Sequence, residues 1–139
     1  MMSATTKLKD IKRIAFPIHD TDEASLYVYE HDDRVPFTVA RVFAVDAKQT
    51  CKRGAHAHKE CQQLLVSMRG KIKVTVDDAD DTLTIILDRP DKGLLIAPGL
   101  WAEQEYEAGS LLMVLTDLPY DEDDYLRNYE DFKAYKKAQ

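Results

Sequence analysis

The stretch RGAHAHKECQQLL (53–65) holds two of the chain's four histidines, His56 and His58, one residue apart. Arg53 and Lys59 flank them. In an extended backbone, residues two apart share a face, so both imidazoles point the same way. Ala55 and Ala57 point the other way and are small enough to pack closely. Two imidazoles on one strand face serve either a metal or proton transfer. A core pair without partners would be costly to bury. Beyond His58 come four residues, then Gln63, then six more and Gly70. A carboxamide donates to a cation more weakly than a carboxylate, so two histidines and Gln63 make a poor transition-metal site. Glu103 is the residue that could complete one. Without metal, the imidazoles are free to act as acid and base, because their reference pKa lies near neutrality. Cationic neighbours such as Arg53 and Lys59 would disfavour imidazolium. In an ideal strand, however, both alternate away from the histidines.

Short strands must position this pair. SLYVYE (25–30), FTVARVFAV (37–45), QLLVSMRG (63–70), KIKVTVDD (71–78), TLTIILD (82–88), GLLIAP (93–98) and SLLMVLT (110–116) all carry strand composition. Ile72, Val74 and Val76 alternate with Lys71, Lys73 and Thr75. Gly, Pro and Asp clusters separate these runs, DDADD (77–81) being an acidic turn. The pattern predicts an all-β sandwich or barrel. The tail differs: Tyr125, Leu126, Tyr129, Phe132 and Tyr135 recur at helical spacing over 121–138. Acidic residues lead that segment and lysines end it, which suits the helix dipole.

The chain has 139 residues, 45% of them hydrophobic, which is enough to build one globular domain over 1–139. A formal net charge of −6 argues against a duplex nucleic-acid partner, which needs a basic face. No apolar run approaches the ~18 residues of a membrane span. The N-terminus lacks the apolar core of a signal peptide. Cys51 and Cys61 are therefore expected to be reduced, small buried side chains in a cytoplasmic protein.

The spacing HxH-x4-Q-x6-G resembles the first motif of the cupin superfamily, with Gln63 where metal-binding members have glutamate. Four segments narrow the resemblance to the nucleotide-sugar 3,4-ketoisomerases, the WxcM-like cupins. They are VPFTVARVFAV (35–45), RGAHAHK (53–59), PGLWAE (98–103) and PYDEDDYLRNYEDFKAY (119–135). The resemblance implies a cupin jelly-roll barrel with a short C-terminal helix, a homodimer, and neither metal nor other cofactor. It also implies a dTDP-linked 4-keto-6-deoxyhexose as substrate and the transfer of its keto group from C4 to C3 through an enediolate. By the same resemblance the product is expected to enter deoxyamino-sugar synthesis for surface polysaccharide such as lipopolysaccharide O-antigen. By resemblance His58 is the base and His56 the proton shuttle.

Arg41 and Arg53 suit a diphosphate, because a guanidinium fork matches its oxygens. Lys59, Gln62, Gln63 and Glu103 are further polar contacts for the sugar nucleotide, and Trp101 offers a face for stacking. The chain departs from the family at Phe43 and Ala44, where tyrosines are common, and at Glu23 and Ala102. The last two positions separate relatives by product configuration at C4. Two alternatives stand beside this reading: a non-catalytic sugar-nucleotide-binding cupin, which these departures suggest, and a metal-dependent cupin enzyme using His56, His58 and Glu103, which the histidine pair suggests.

Overall fold

Strand alternation builds two layers and one cavity between them. The computed structural model describes residues 2–138. In chain order its elements are β1 (Lys12–Ala15), β2 (Ile18–Asp20), β3 (Ser25–Tyr27), β4 (Arg41–Asp46), β5 (Cys51–His58), β6 (Gln63–Arg69) and β7 (Ile72–Asp77). Then come β8 (Thr82–Leu87), β9 (Lys92–Ile96), β10 (Trp101–Tyr106), β11 (Leu111–Thr116), β12 (Tyr125–Leu126) and α1 (Tyr129–Lys137). One five-stranded sheet runs β1-β9-β6-β11-β4 and the other β12-β5-β10-β7-β8; β2 and β3 form a separate hairpin. All strand pairs within these sheets are antiparallel. This is the expected jelly roll with a short C-terminal helix.

The inner faces meet in one apolar core. Leu65, Leu94, Ile96, Leu112 and Val114 come from the first sheet, and Ile72, Val74, Val76, Ile85 and Leu87 from the second. The outer face of the first sheet is covered too, where Leu64, Val66, Leu95 and Leu115 pack under Phe16, Val35 and Phe37. Strand β6 is therefore buried on both sides, which explains its unbroken apolar run. On the outer face of the second sheet, Trp101 and Ala57 pack against Phe132 of α1.

Several boundaries differ from the sequence expectation. The run 25–30 keeps only Ser25–Tyr27 as strand, and the strand expected over 37–45 begins at Arg41. Strands β1 and β2 fall where the sequence is charged and alternation is weak; β1 is an edge strand with little burial. The largest difference lies in the tail, where helix begins only at Tyr129. Asp121 caps a 3₁₀ turn over Glu122–Asp124, Tyr125 and Leu126 pair with His58 and Ala57, and Asn128 caps the helix by accepting from the Asp131 amide. Ladder bonds to β5 outweigh the helical spacing of the aromatic residues.

Buried Lys136 clasps the two termini together. Its ammonium donates to the carbonyls of Ser3 (3.3 Å), Thr6 (2.6 Å) and Gly99 (2.7 Å). Gly99 in turn donates to the His58 carbonyl at 2.7 Å. Substituting Lys136→Met keeps the bulk but strips these acceptors of their donor. It is expected to lower stability by about 2–3 kcal/mol, read as a drop in the urea midpoint at unchanged slope.

Candidate active site

A β-bulge shapes the wall of the cavity. Ala102 pairs with His56 but Gln104 pairs with Arg53, so β5 spends one extra residue there. Gly54 sits in the bulge at φ +77°, a left-handed conformation that glycine accepts without strain. A Cβ at Gly54 would lie 2.4 Å from Gln104 Oε1. The bulge breaks the two-residue period, so Arg53 and His56 line the same cavity. Strict alternation would have placed them on opposite faces.

The cavity measures about 300 Å³ and lies between the sheets, at the small end of ligand pockets. From β4 come Arg41, Phe43, Ala44 and Val45; from β6, Gln63 and Leu65; from β10, Gln104; from the tail, Tyr125 and Arg127. The Arg41 guanidinium lies 4.5 Å from the Phe43 ring centroid and 5.2 Å from that of Tyr120. Arg127 lies 4.1 Å from the Tyr125 centroid and donates to both oxygens of Glu122, at 2.7 and 3.0 Å. This pairing, with a hydrogen bond from the Tyr120 hydroxyl, holds the Glu122 carboxyl down at about 2.

The two imidazoles meet edge to face, with centroids 5.0 Å apart. Only His56 lines the cavity. Burial lowers its pKa to about 4, helped by His58 and Arg127 and opposed by Glu122. His58 lies behind it, and its Nδ1 is 2.9 Å from Asp124 Oδ2, with both side chains about 10% exposed or less. Burial also lowers the His58 pKa, while Asp124 opposes that shift. With Nδ1–H donating to the carboxylate, neutral His58 carries its lone pair on Nε2. Among the described residues, that Nε2 is the one buried side-chain polar atom without a hydrogen-bond partner.

Four of the expected binding residues lie elsewhere. Gln62 is locked to Asp117, whose carboxylate accepts from its backbone at 2.8 Å and its amide at 3.1 Å. Lys59 follows the end of β5 and lines a separate cleft with Glu60, Leu118, Pro119 and acidic residues of the tail. Trp101 and Glu103 belong to the outward face of β10. The indole donates to the Glu103 carboxylate at 2.9 Å and packs on Tyr129 and Phe132. Glu103 therefore cannot join His56 and His58 around a metal. His58, Cys61 and Asp124 do bring three ligand-type atoms within 4.8 Å. Hydrogen bonds already account for that cluster, since Asp124 accepts from His58 and from the amides of Glu60 and Cys61, and the Cys61 thiol donates to the Gln62 carbonyl.

The residues not singled out from sequence are Gln104, Tyr120, Glu122, Asp124, Tyr125 and Arg127. Most lie in the YDEDDYLRNY stretch, where helical spacing masked a strand pairing beside the histidines.

The chain is similar to known proteins along most of its length. Residues 4–137 match the family described as FdtA, WxcM-like, C-terminal. A TDP-4-oxo-6-deoxy-α-D-glucose-3,4-oxoisomerase of Aneurinibacillus thermoaerophilus is 39% identical over 113 residues, covering 80% of this chain and 81% of that protein. QdtA, a sugar 3,4-ketoisomerase from Thermoanaerobacterium thermosaccharolyticum solved in complex with TDP, superposes with a TM-score of 0.90 at 31% identity, covering 94% of this chain and 97% of that one. A 3,4-ketoisomerase from Helicobacter canadensis gives 0.88 at 34% identity, covering 92% and 98%. A match along almost the whole chain, a shared jelly roll and these relatives place the protein in the FdtA, WxcM-like family.

Proposed function

We propose that this chain is a single-domain, cytoplasmic isomerase that moves the keto group of a TDP-linked 4-keto-6-deoxyhexose from C4 to C3, in deoxyamino-sugar biosynthesis for surface polysaccharide. The observation that carries this reading is a neutral imidazole, His56, in the wall of a cavity lined by three guanidinium groups, in a chain of this family. Arg41, Arg53 and Arg127 supply positive charge for the diphosphate and for the oxygen that turns anionic during the reaction. Gln63 and Gln104 offer neutral donors and acceptors to sugar hydroxyls. No helix of the described residues is long and apolar enough to cross a membrane.

In this reading the two histidines exchange the roles that the motif suggested. His56 takes the C3 proton because it lines the cavity, and its depressed pKa leaves its lone pair free at neutral pH. The C3–H electron pair becomes the C3=C4 bond and the carbonyl pair moves onto O4. The proton of O3 passes to O4, the O3–H pair forms the C3 carbonyl, and the C3=C4 pair takes a proton from His56 at C4. His58, oriented by Asp124, stands behind His56 and disfavours its imidazolium form.

The proposed unit is a homodimer. The hairpin of β2 and β3 stands apart from the sheets with Leu26 exposed, and Val42 is exposed on the edge strand β4. A second copy would cover these side chains and the open edge. Light scattering should give twice the chain mass of 15.9 kDa; a monomer would refute the dimer.

The central test is NMR of the purified protein with TDP-4-keto-6-deoxyglucose in D2O. Deuterium should enter the sugar ring as a 3-keto species accumulates. His56→Asn should lose about 10²–10⁴-fold in kcat while still binding TDP. If His58→Asn is the more damaged variant, the roles revert to the order expected from the motif.

The pH dependence has a definite sign. His56 binds its proton near pH 4 in the folded state and at about 6.5 when unfolded. Between these values the unfolded chain holds the extra proton, so stability falls as pH drops from 6.5 toward 4. Comparison with His56→Gln should show this contribution as about 2–3 kcal/mol in urea unfolding at pH 4 and 7. The acid limb of kcat/KM should likewise lie near pH 4 rather than 6.5, since that parameter reports the free enzyme.

A further inference from the structure

We propose that the Tyr125 phenol is the second proton carrier of the reaction, passing a proton between the two substrate oxygens. This rests on the ketoisomerase reading above. Moving a keto group by one carbon relocates two hydrogens: one from C3 to C4, the other from O3 to O4. A base that works on carbon does the first, and a group placed at the oxygens must do the second.

The cavity wall leaves few candidates for that group. Arg41, Arg53 and Arg127 line it but remain protonated. Gln63 and Gln104 are neutral amides. Apart from His56, the other lining side chains are hydrocarbon, save that of Tyr125. Tyr125 therefore carries the cavity's only hydroxyl among the described residues. Among the described residues its oxygen has no hydrogen-bond partner, which leaves it for substrate. Its ring is firmly placed. Tyr125 pairs with His58 across β12 and β5, and its centroid lies 5.0 Å from His56 and 4.3 Å from His58. The Arg127 guanidinium covers the ring at 4.1 Å, well placed to offset a transient phenolate.

The steps balance without a co-reactant. His56 first removes the C3 proton, leaving an imidazolium and an enediolate whose anionic O4 is held by the guanidinium groups; Tyr125 then gives its hydroxyl proton to O4, leaving an enediol and a phenolate. The phenolate then takes the proton of O3. The O3 pair forms the new C3 carbonyl, and the C3=C4 pair takes a proton from His56 at C4. Both groups end in their starting states.

Tyr125→Phe separates the two transfers while keeping the ring that packs on both histidines. In D2O it should form the 3-keto product about 100-fold more slowly, yet exchange the C3 hydrogen of recovered substrate within roughly tenfold of the wild-type rate, with TDP affinity unchanged. Equal loss of exchange and isomerisation would make Tyr125 a packing group for the imidazoles and overturn the proposal. So would an unchanged rate of product formation. A second measurement replaces Tyr125 with 3-fluorotyrosine, whose phenol is more acidic. The alkaline limb of kcat should move to lower pH, and an unmoved limb counts against the role. A wild-type protein that neither exchanges nor isomerises this sugar would instead sink the ketoisomerase reading itself.

Discussion

The buried carboxylate of Asp124 is the point on which the site depends. A charge this deep must be paired and hydrogen-bonded, and three donors converge on it: His58 Nδ1 and the amides of Glu60 and Cys61. Its own carbonyl accepts from the Lys59 amide. These bonds pin the tail to the end of β5, and the next residues, Tyr125 and Leu126, continue the pairing as a short strand. Orientation of His58 and closure of the cavity by Tyr125 and Arg127 are therefore one event. If the tail detached, His58 would lose its fixed tautomer and the cavity would lose part of its wall together.

A second constraint lies on β5 itself, four residues before His58, at Gly54. Pleated geometry alone cannot place Arg53 and His56 on one face. The extra residue in β5 does so, and the left-handed backbone of Gly54, close against the Gln104 amide, favours a residue without a Cβ. The bulge gathers cation and base at one cavity. The helix, by contrast, serves the outer face. Trp101 and Phe132 seal the back of the sheet that carries the histidines, and Lys136 ties both termini to the turn at Gly99.

Much of this was legible in the sequence, for physical reasons that can be named. Strands β6 to β9 and β11 follow alternation or unbroken apolar runs, because they are central or face the main core. The edge strand β1 and the hairpin of β2 and β3 bury little, so composition hardly marks them. The histidine pair stood out because HxH on a strand has few bland explanations. Arg41, Arg53 and Gln63 do reach the cavity, whereas Lys59, Gln62, Trp101 and Glu103 do not. Proximity in sequence misled for Lys59 and Gln62, which follow the end of β5 or precede β6. Parity misled for Trp101 and Glu103, which occupy the outward positions of β10. Asp124, Tyr125 and Arg127 stayed hidden because a 3₁₀ turn, two strand residues and a helix in succession imitate one helical period.

Neutrality links the departures from the family pattern to the chemistry. Phe43 and Ala44 stand in the cavity wall where the family resemblance led to the expectation of tyrosine, and Ala102 lies opposite His56 in the register of β5 and β10. Ala102 is buried with the apolar core. Burial strips water from the imidazole, and that desolvation holds His56 unprotonated. The same substitutions leave few groups that can carry a proton at the sugar oxygens. Burial thus keeps the base unprotonated, and the cavity's one hydroxyl among the described residues lies on the wall that the tail supplies, a phenol beside a guanidinium.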